Sequence, residues 1–164
     1  NIKIFKKINV LRNLGTIKKN DHKYEGLNSR LDTIQASILL EKIKMTHKHN
    51  DYRRKVSKFY DMELSFINQV KLTETLPGSS RHLYVIRVLD RDKLMKYLRK
   101  NNVPVQLHYP YSLNKTGALK NKIKKVKLLN SEKWARECIS LPLYPNMLFR
   151  DVKKVIKLIK KFYS

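Results

Sequence analysis

The chain has 164 residues, 41% hydrophobic and 30% charged, with only 4 Gly and 5 Pro. That composition supports one domain with a packed core and excludes disordered and fibrous classes. Its 37 Lys and Arg against 13 Asp and Glu give a net charge of +24, and its one cysteine, Cys138, excludes an internal disulfide.

Residues Ile2 to Leu11 place Ile4, Phe5, Ile8 and Leu11 at helical spacing, and Gly15 is suited to end that helix. Asp21 to Ser29 is polar, contains Gly26 and Asn28, and reads as a loop. Leu31 to Ile67 has no Gly or Pro. Its apolar stripe of Leu31, Ile34, Ile38, Ile43, Tyr52, Val56, Phe59 and Ile67 predicts one long helix. The polar middle, Thr46 to Arg54, is where a kink would fall.

Pro77-Gly78-Ser79-Ser80 is a turn signal, and short strands alternate with helices beyond it. The expected elements are a strand over His82–Leu89, a helix capped by Asp90 and running to Lys100, and a second strand over Val103–His108. Leu119 to Leu129 is basic and irregular. Ser131 is positioned to cap a short helix reaching Arg136, Cys138–Leu141 reads as a third strand, and Asp151–Tyr163 as an amphipathic helix. The pattern predicts an α/β arrangement with one small sheet packed by helices.

The charge surplus is open to two accounts. A polyanion such as nucleic acid is the usual partner of so basic a chain. However, the excess is mostly Lys and is accompanied by abundant Asn, Ile and Tyr, all with A/T-rich codons. The lysines are also scattered, as in Lys6-Lys7, Lys124-Lys125 and Lys160-Lys161, along polar helix faces. Coding bias and solvation therefore account for the charge better than nucleic-acid binding. Apolar runs such as Ile38-Leu39-Leu40 are too short for a bilayer, and Asn1–Phe5 lacks the apolar stretch of a signal peptide. A cytoplasmic location is expected, with no membrane partner.

No phosphate loop, nucleophile elbow or metal-spaced Cys/His cluster is present, so no metal site is expected. Three segments carry more specific chemistry. Gly26-Leu27-Asn28-Ser29-Arg30-Leu31-Asp32 puts an amide and a guanidinium directly before a helix, where they can meet an anion. The simpler reading of the same residues makes Asn28 or Ser29 a helix cap. Gln106-Leu107-His108-Tyr109-Pro110 places an imidazole and a phenol at a strand end, a common ligand position, though an ordinary strand end explains it equally well. Ile139-Ser140-Leu141-Pro142 reads as a buried strand stopped by proline, and Tyr84 and Trp134 read as core.

Taken in order with Leu11-Arg12-Asn13-Leu14-Gly15, and with Ser140 to Pro145 as the last, these segments resemble the DegT/StrS family of nucleotide-sugar aminotransferases over nearly the whole chain. The resemblance implies the C-terminal part of a fold type I, pyridoxal 5'-phosphate-dependent transferase. Residues 1–30 would be the tail of a large cofactor domain with an interface loop, 31–76 a long linking helix, and 77–164 a small α/β domain with an antiparallel-type sheet. It implies homodimers that move an amino group, usually from glutamate, onto a nucleotide-linked keto sugar in amino-sugar or polysaccharide biosynthesis.

By the same resemblance Asn28 reaches the cofactor phosphate of the neighbouring subunit, which raises the anion reading over the capping one, and Arg30 is a second candidate for an anionic group of cofactor or substrate. His108 and Tyr109 line the substrate pocket, with His82 a further candidate. The Schiff-base lysine would lie upstream of Asn1, so no catalytic residue is expected here and the chain is expected to be an inactive fragment by itself. A related sugar dehydratase, which has histidine for that lysine, is the alternative within the family, and a basic nucleic-acid-binding module the alternative outside it. The segment Asn114-Lys115-Thr116-Gly117 departs from the family, so substrate identity does not carry over.

Overall fold

A computed structural model describes residues 1–120 and 127–164. The basic stretch expected over Leu119–Leu129, including Lys124-Lys125, falls mostly outside the described residues. The chain forms two compact units, Asn1–Thr46 and His47–Ser164.

In the first unit, helix α1 spans Ile2–Leu11 and is capped by Asn1, whose side chain accepts from the Lys3 amide at 3.0 Å. The chain turns through Leu14 and Gly15, both at positive φ, into a hairpin of β1 (Thr16–Lys18) and β2 (Asp21–His22). This hairpin was not legible in the polar sequence. Helix α2 spans Thr33–Lys44.

The expected single helix from Leu31 to Ile67 is two helices, since α2 ends at Lys44, Met45 is its C-cap, and α3 spans Thr46–Leu64. The Thr46 hydroxyl bonds back to the Lys42 carbonyl at 3.4 Å, and such side-chain bonds compete with the helical ladder. Within residues 1–46 only Gly15 is buried. Phe5, Ile34 and Leu40 are 61%, 76% and 65% exposed, so the apolar residues of α1 and α2 are largely uncovered.

The second unit continues with β3 (Lys71–Leu72), β4 (Tyr84–Arg87), α4 (Arg91–Lys100), α5 (Gly117–Lys120), α6 (Leu129–Glu137), β5 (Cys138–Leu141) and α7 (Phe149–Tyr163). The sheet is antiparallel in the order β3-β4-β5, with Tyr84 opposite Leu141 and Arg87 opposite Cys138. The expected strand over Val103–His108 reduces to one bridge, Gln106 with Ser140. Pro104 has no amide hydrogen to donate, and Val103 and Val105 on either side of it are buried in the core.

Alternation sorts the sheet residues by face. Tyr84, Ile86, Ile139 and Leu141 join a core with Val56, Tyr60 and Leu64 of α3, Leu94 and Leu98 of α4, and Val152, Val155, Ile156 and Ile159 of α7. The Tyr60 and Tyr84 rings stack at 4.8 Å between centroids, and the Tyr84 hydroxyl donates to Asp61 at 2.7 Å. Burial, and then this bond to a carboxylate, raise the Tyr84 pKa, so the phenol keeps its proton. The opposite face of the sheet carries α6 and the segment around His108.

Replacing the fully buried Leu98 by Ala should cost about 2–5 kcal/mol in urea unfolding. Lys157→Ala, on the solvent side of the neighbouring α7, should change stability by less than about 0.5 kcal/mol.

Candidate functional site

The first unit is organised around two glycines. Gly15 lies at φ 70°, and a Cβ there would stand 1.7 Å from the Tyr24 carbonyl oxygen. A Cβ on Gly26 would stand 2.1 Å from the Gly15 nitrogen and 2.6 Å from the Leu11 carbonyl oxygen. Only residues without a side chain let the 24–29 strand of chain lie this close to residues 11–15. Backbone bonds then fix it: Leu27 N–H to Leu11 O at 2.8 Å, Leu14 N–H to Leu27 O at 3.1 Å, and Ser29 N–H to Arg12 O at 2.8 Å. Asn13 and Asn28 pair in an isolated bridge.

The sequence segments 11–15 and 26–32 therefore hold each other. Arg30 Nε donates to Asn13 Oδ1 at 2.7 Å, which commits part of this anion candidate to an internal bond. Arg12 Nε similarly reaches the Ser29 carbonyl at 3.2 Å. Asn28 is exposed, and its amide makes no side-chain hydrogen bond to any described residue. It caps no helix, since the cap position of α2 is Asp32.

The second unit holds an open cleft of about 830 Å³, walled by His108, Tyr109, Tyr111, Leu113 and Trp134, with Asn130 on its rim. His108 Nδ1 lies 2.8 Å from Ser140 Oγ, a buried hydroxyl on β5. That contact fixes the imidazole and leaves Nε2 as its other functional atom. Trp134 Nε1 donates to the His108 carbonyl at 3.2 Å. The Arg87 guanidinium sits 5.7 Å over the Trp134 ring and donates to buried Glu137 at 2.6 Å, so the indole is held from both sides. Trp134 is thus a half-buried wall of the cleft, a correction to its reading as core.

Below the cleft, burial pushes the Cys138 thiol pKa up, and its Sγ lies 3.7 Å from the Tyr109 carbonyl oxygen. Beside it, Asn114 Nδ2 donates to Glu132 at 2.9 Å, and this bond holds the carboxyl pKa below its ordinary value. Asn114 is a buried tie between its loop and α6. Thr116 lines the cleft.

The structure brings His108 and Tyr109 together on one wall. His82 stands apart, exposed ahead of β4 and outside the cleft lining. Asn28 and Arg30 belong to the first unit. Sequence reasoning missed Ser140, Tyr111, Asn130 and Trp134 as site residues. Asn130 and Trp134, four apart on α6, share a helix face, and that spacing was the available signal.

The sequence matches the DegT/DnrJ/EryC1/StrS aminotransferase family over residues 1–160. The chain belongs to this family. Among DegT-family relatives, it is 32% identical over 158 residues to the dTDP-3-amino-3,6-dideoxy-alpha-D-galactopyranose transaminase of Aneurinibacillus thermoaerophilus, covering 95% of this chain and 43% of that protein. It is 33% identical over 140 residues to the UDP-2-acetamido-2-deoxy-3-oxo-D-glucuronate aminotransferase of Pseudomonas aeruginosa, covering 85% and 38%.

The crystal structure of S. venezuelae DesV superposes with a TM-score of 0.95 at 26% identity, over 100% of this chain and 45% of that one. A DegT-family aminotransferase from Brucella abortus gives 0.90 at 27% identity, over 100% and 44%. The chain spans less than half the length of these DegT-family proteins, and its fold is theirs over that part. Among the described residues no helix is long and apolar enough to cross a membrane.

Gly26→Ala should release the 24–29 segment, lowering hydrogen-exchange protection at the Leu27 and Ser29 amides while leaving β4 and β5 protected. Ser140→Ala should change the tautomer balance of His108, read from its ring ¹⁵N shifts.

Proposed function

We propose that this chain forms the C-terminal part of a pyridoxal 5'-phosphate-dependent aminotransferase that transfers an amino group from glutamate to a nucleotide-linked keto sugar. The observation that carries this reading is the family match over residues 1–160, joined to an aromatic cleft at His108 and Tyr109. Transaminase names among the relatives support the sugar-nucleotide class.

The cofactor makes two demands, a hold on its phosphate and a desolvated lysine. This chain fits the first. Asn28 offers an exposed amide with no competing side-chain partner among the described residues, and Arg30 keeps further N–H donors beyond the one given to Asn13. The second is unmet by any described lysine, because each one whose side chain is described is exposed. In this reading the covalent lysine is supplied by a part of the enzyme outside the 43% of the A. thermoaerophilus relative that the chain matches. Bound pyridoxal phosphate supplies the electron sink for amino exchange.

In this reading Asn28 donates to the phosphate, and His108 presents Nε2 to the substrate while Ser140 holds Nδ1. Tyr109 and Trp134 exclude water from one side of the sugar nucleotide. The uncovered apolar residues Phe5, Ile34 and Leu40 suit contact with the remainder of a homodimeric enzyme rather than with solvent.

Two measurements test the proposal. Borohydride trapping of the chain with pyridoxal phosphate should label many lysines at low occupancy, and one lysine labelled stoichiometrically would overturn the assignment. Fusing the chain behind the N-terminal part of the A. thermoaerophilus transaminase should restore glutamate-dependent amination of a keto-sugar nucleotide. Asn28→Ala in that fusion should weaken cofactor affinity about tenfold, the loss of one hydrogen bond to a charged group.

A further inference from the structure

A second hollow of the His47–Ser164 unit has a different character. It measures about 340 Å³ and is lined by Arg54, Lys58 and Arg81 together with Thr75 and the Pro77-Gly78-Ser79 turn. Three cations line it and no acidic residue does. The two neighbouring carboxylates are engaged by single guanidinium nitrogens. Arg81 donates to Asp61 at 2.7 Å, and Arg54 pairs with Asp51, in each case through one terminal nitrogen. A guanidinium has five N–H donors, so each arginine retains several. Lys58 is exposed and forms no ion pair with any described residue.

Arg81 is also held with unusual firmness. Its side chain is only 16% exposed, its guanidinium lies 5.8 Å from the centre of the Tyr84 ring, and its backbone adopts φ 48°, a region that costs a non-glycine residue energy. Ser79 Oγ accepts from the Arg81 amide at 3.2 Å and helps hold that conformation. A fixed guanidinium, a second arginine and an ammonium without an ion pair among the described residues line one small hollow, and a phosphoryl group takes several N–H donors at once.

We infer that this hollow is an anion site for a phosphate-bearing small molecule, separate from the aromatic cleft and independent of the aminotransferase reading. The probe is inorganic pyrophosphate, titrated into the whole chain and followed by amide shifts and calorimetry. The expected result is saturable binding of one equivalent, with shifts concentrated at Gly78, Ser79 and Arg81. Lys58→Glu should weaken it about tenfold, as a reversed charge at contact range implies. Lys157→Glu makes the same change in net charge on α7 and should leave the affinity unaltered. Arg81→Lys keeps the charge and loses the planar fork, and should also weaken binding. Shifts spread along α7, or equal losses from Lys58→Glu and Lys157→Glu, would show only diffuse attraction to a basic protein and overturn the site. Tighter binding of glutarate than of pyrophosphate would overturn the phosphoryl assignment.

Discussion

Strand β5 is covered on both faces, and the second unit depends on that. Ile139 and Leu141 complete the core beneath α3, α4 and α7, while Ser140 and Cys138 point the other way, to His108 and to the Tyr109 carbonyl. One strand of four residues therefore links stability to the cleft. Because neighbouring side chains alternate, a slip of one residue in the pairing with β4 would exchange core and cleft residues. The register is fixed by the volume of Ile139 and Leu141 on one side and by the small Ser140 on the other.

The same economy appears at Trp134. Its indole donates to the His108 carbonyl while Arg87, paired with Glu137 between β4 and the end of α6, lies over its ring. Glu137 is buried, which makes a lone carboxylate there costly and its arginine partner necessary. The wall of the cleft is thus rigid where it meets the sheet. It is open where Tyr109 and Tyr111 stand 68% and 70% exposed.

The first unit rests on backbone proximity. With Gly15 its only buried residue, it derives little stability from burial and much from the mutual fit of residues 11–15 and 24–29. This arrangement leaves Asn28 on the surface with its amide unoccupied by side-chain bonds, while Arg30 and Arg12 brace the segment from either side. The apolar residues along α1 and α2 are largely exposed, Phe5, Ile34 and Leu40 among them.

Much of this was readable in the residues. Helical spacing located α1, α4 and α7, the proline-bounded run located β5, and the ordered segments 11–15, 26–32, 108–110 and 140–145 pointed to the DegT family. Other features depended on contacts between residues far apart. The break at Met45 is accompanied by a bond from the Thr46 hydroxyl to the Lys42 carbonyl, a contact that periodicity does not register. The 103–108 strand is reduced to the bridge between Gln106 and Ser140, and Pro104 has no amide hydrogen for a ladder. By itself the sequence determined which segments are apolar and which motifs they carry, because these are local properties of spacing and residue type. Only the tertiary structure decided that Ser140 holds His108 across 32 positions, that Trp134 is a wall rather than core, and that Arg54, Lys58 and Arg81 face one hollow. Those pairings depend on how strands and helices pack, and packing brings together residues that no local pattern connects.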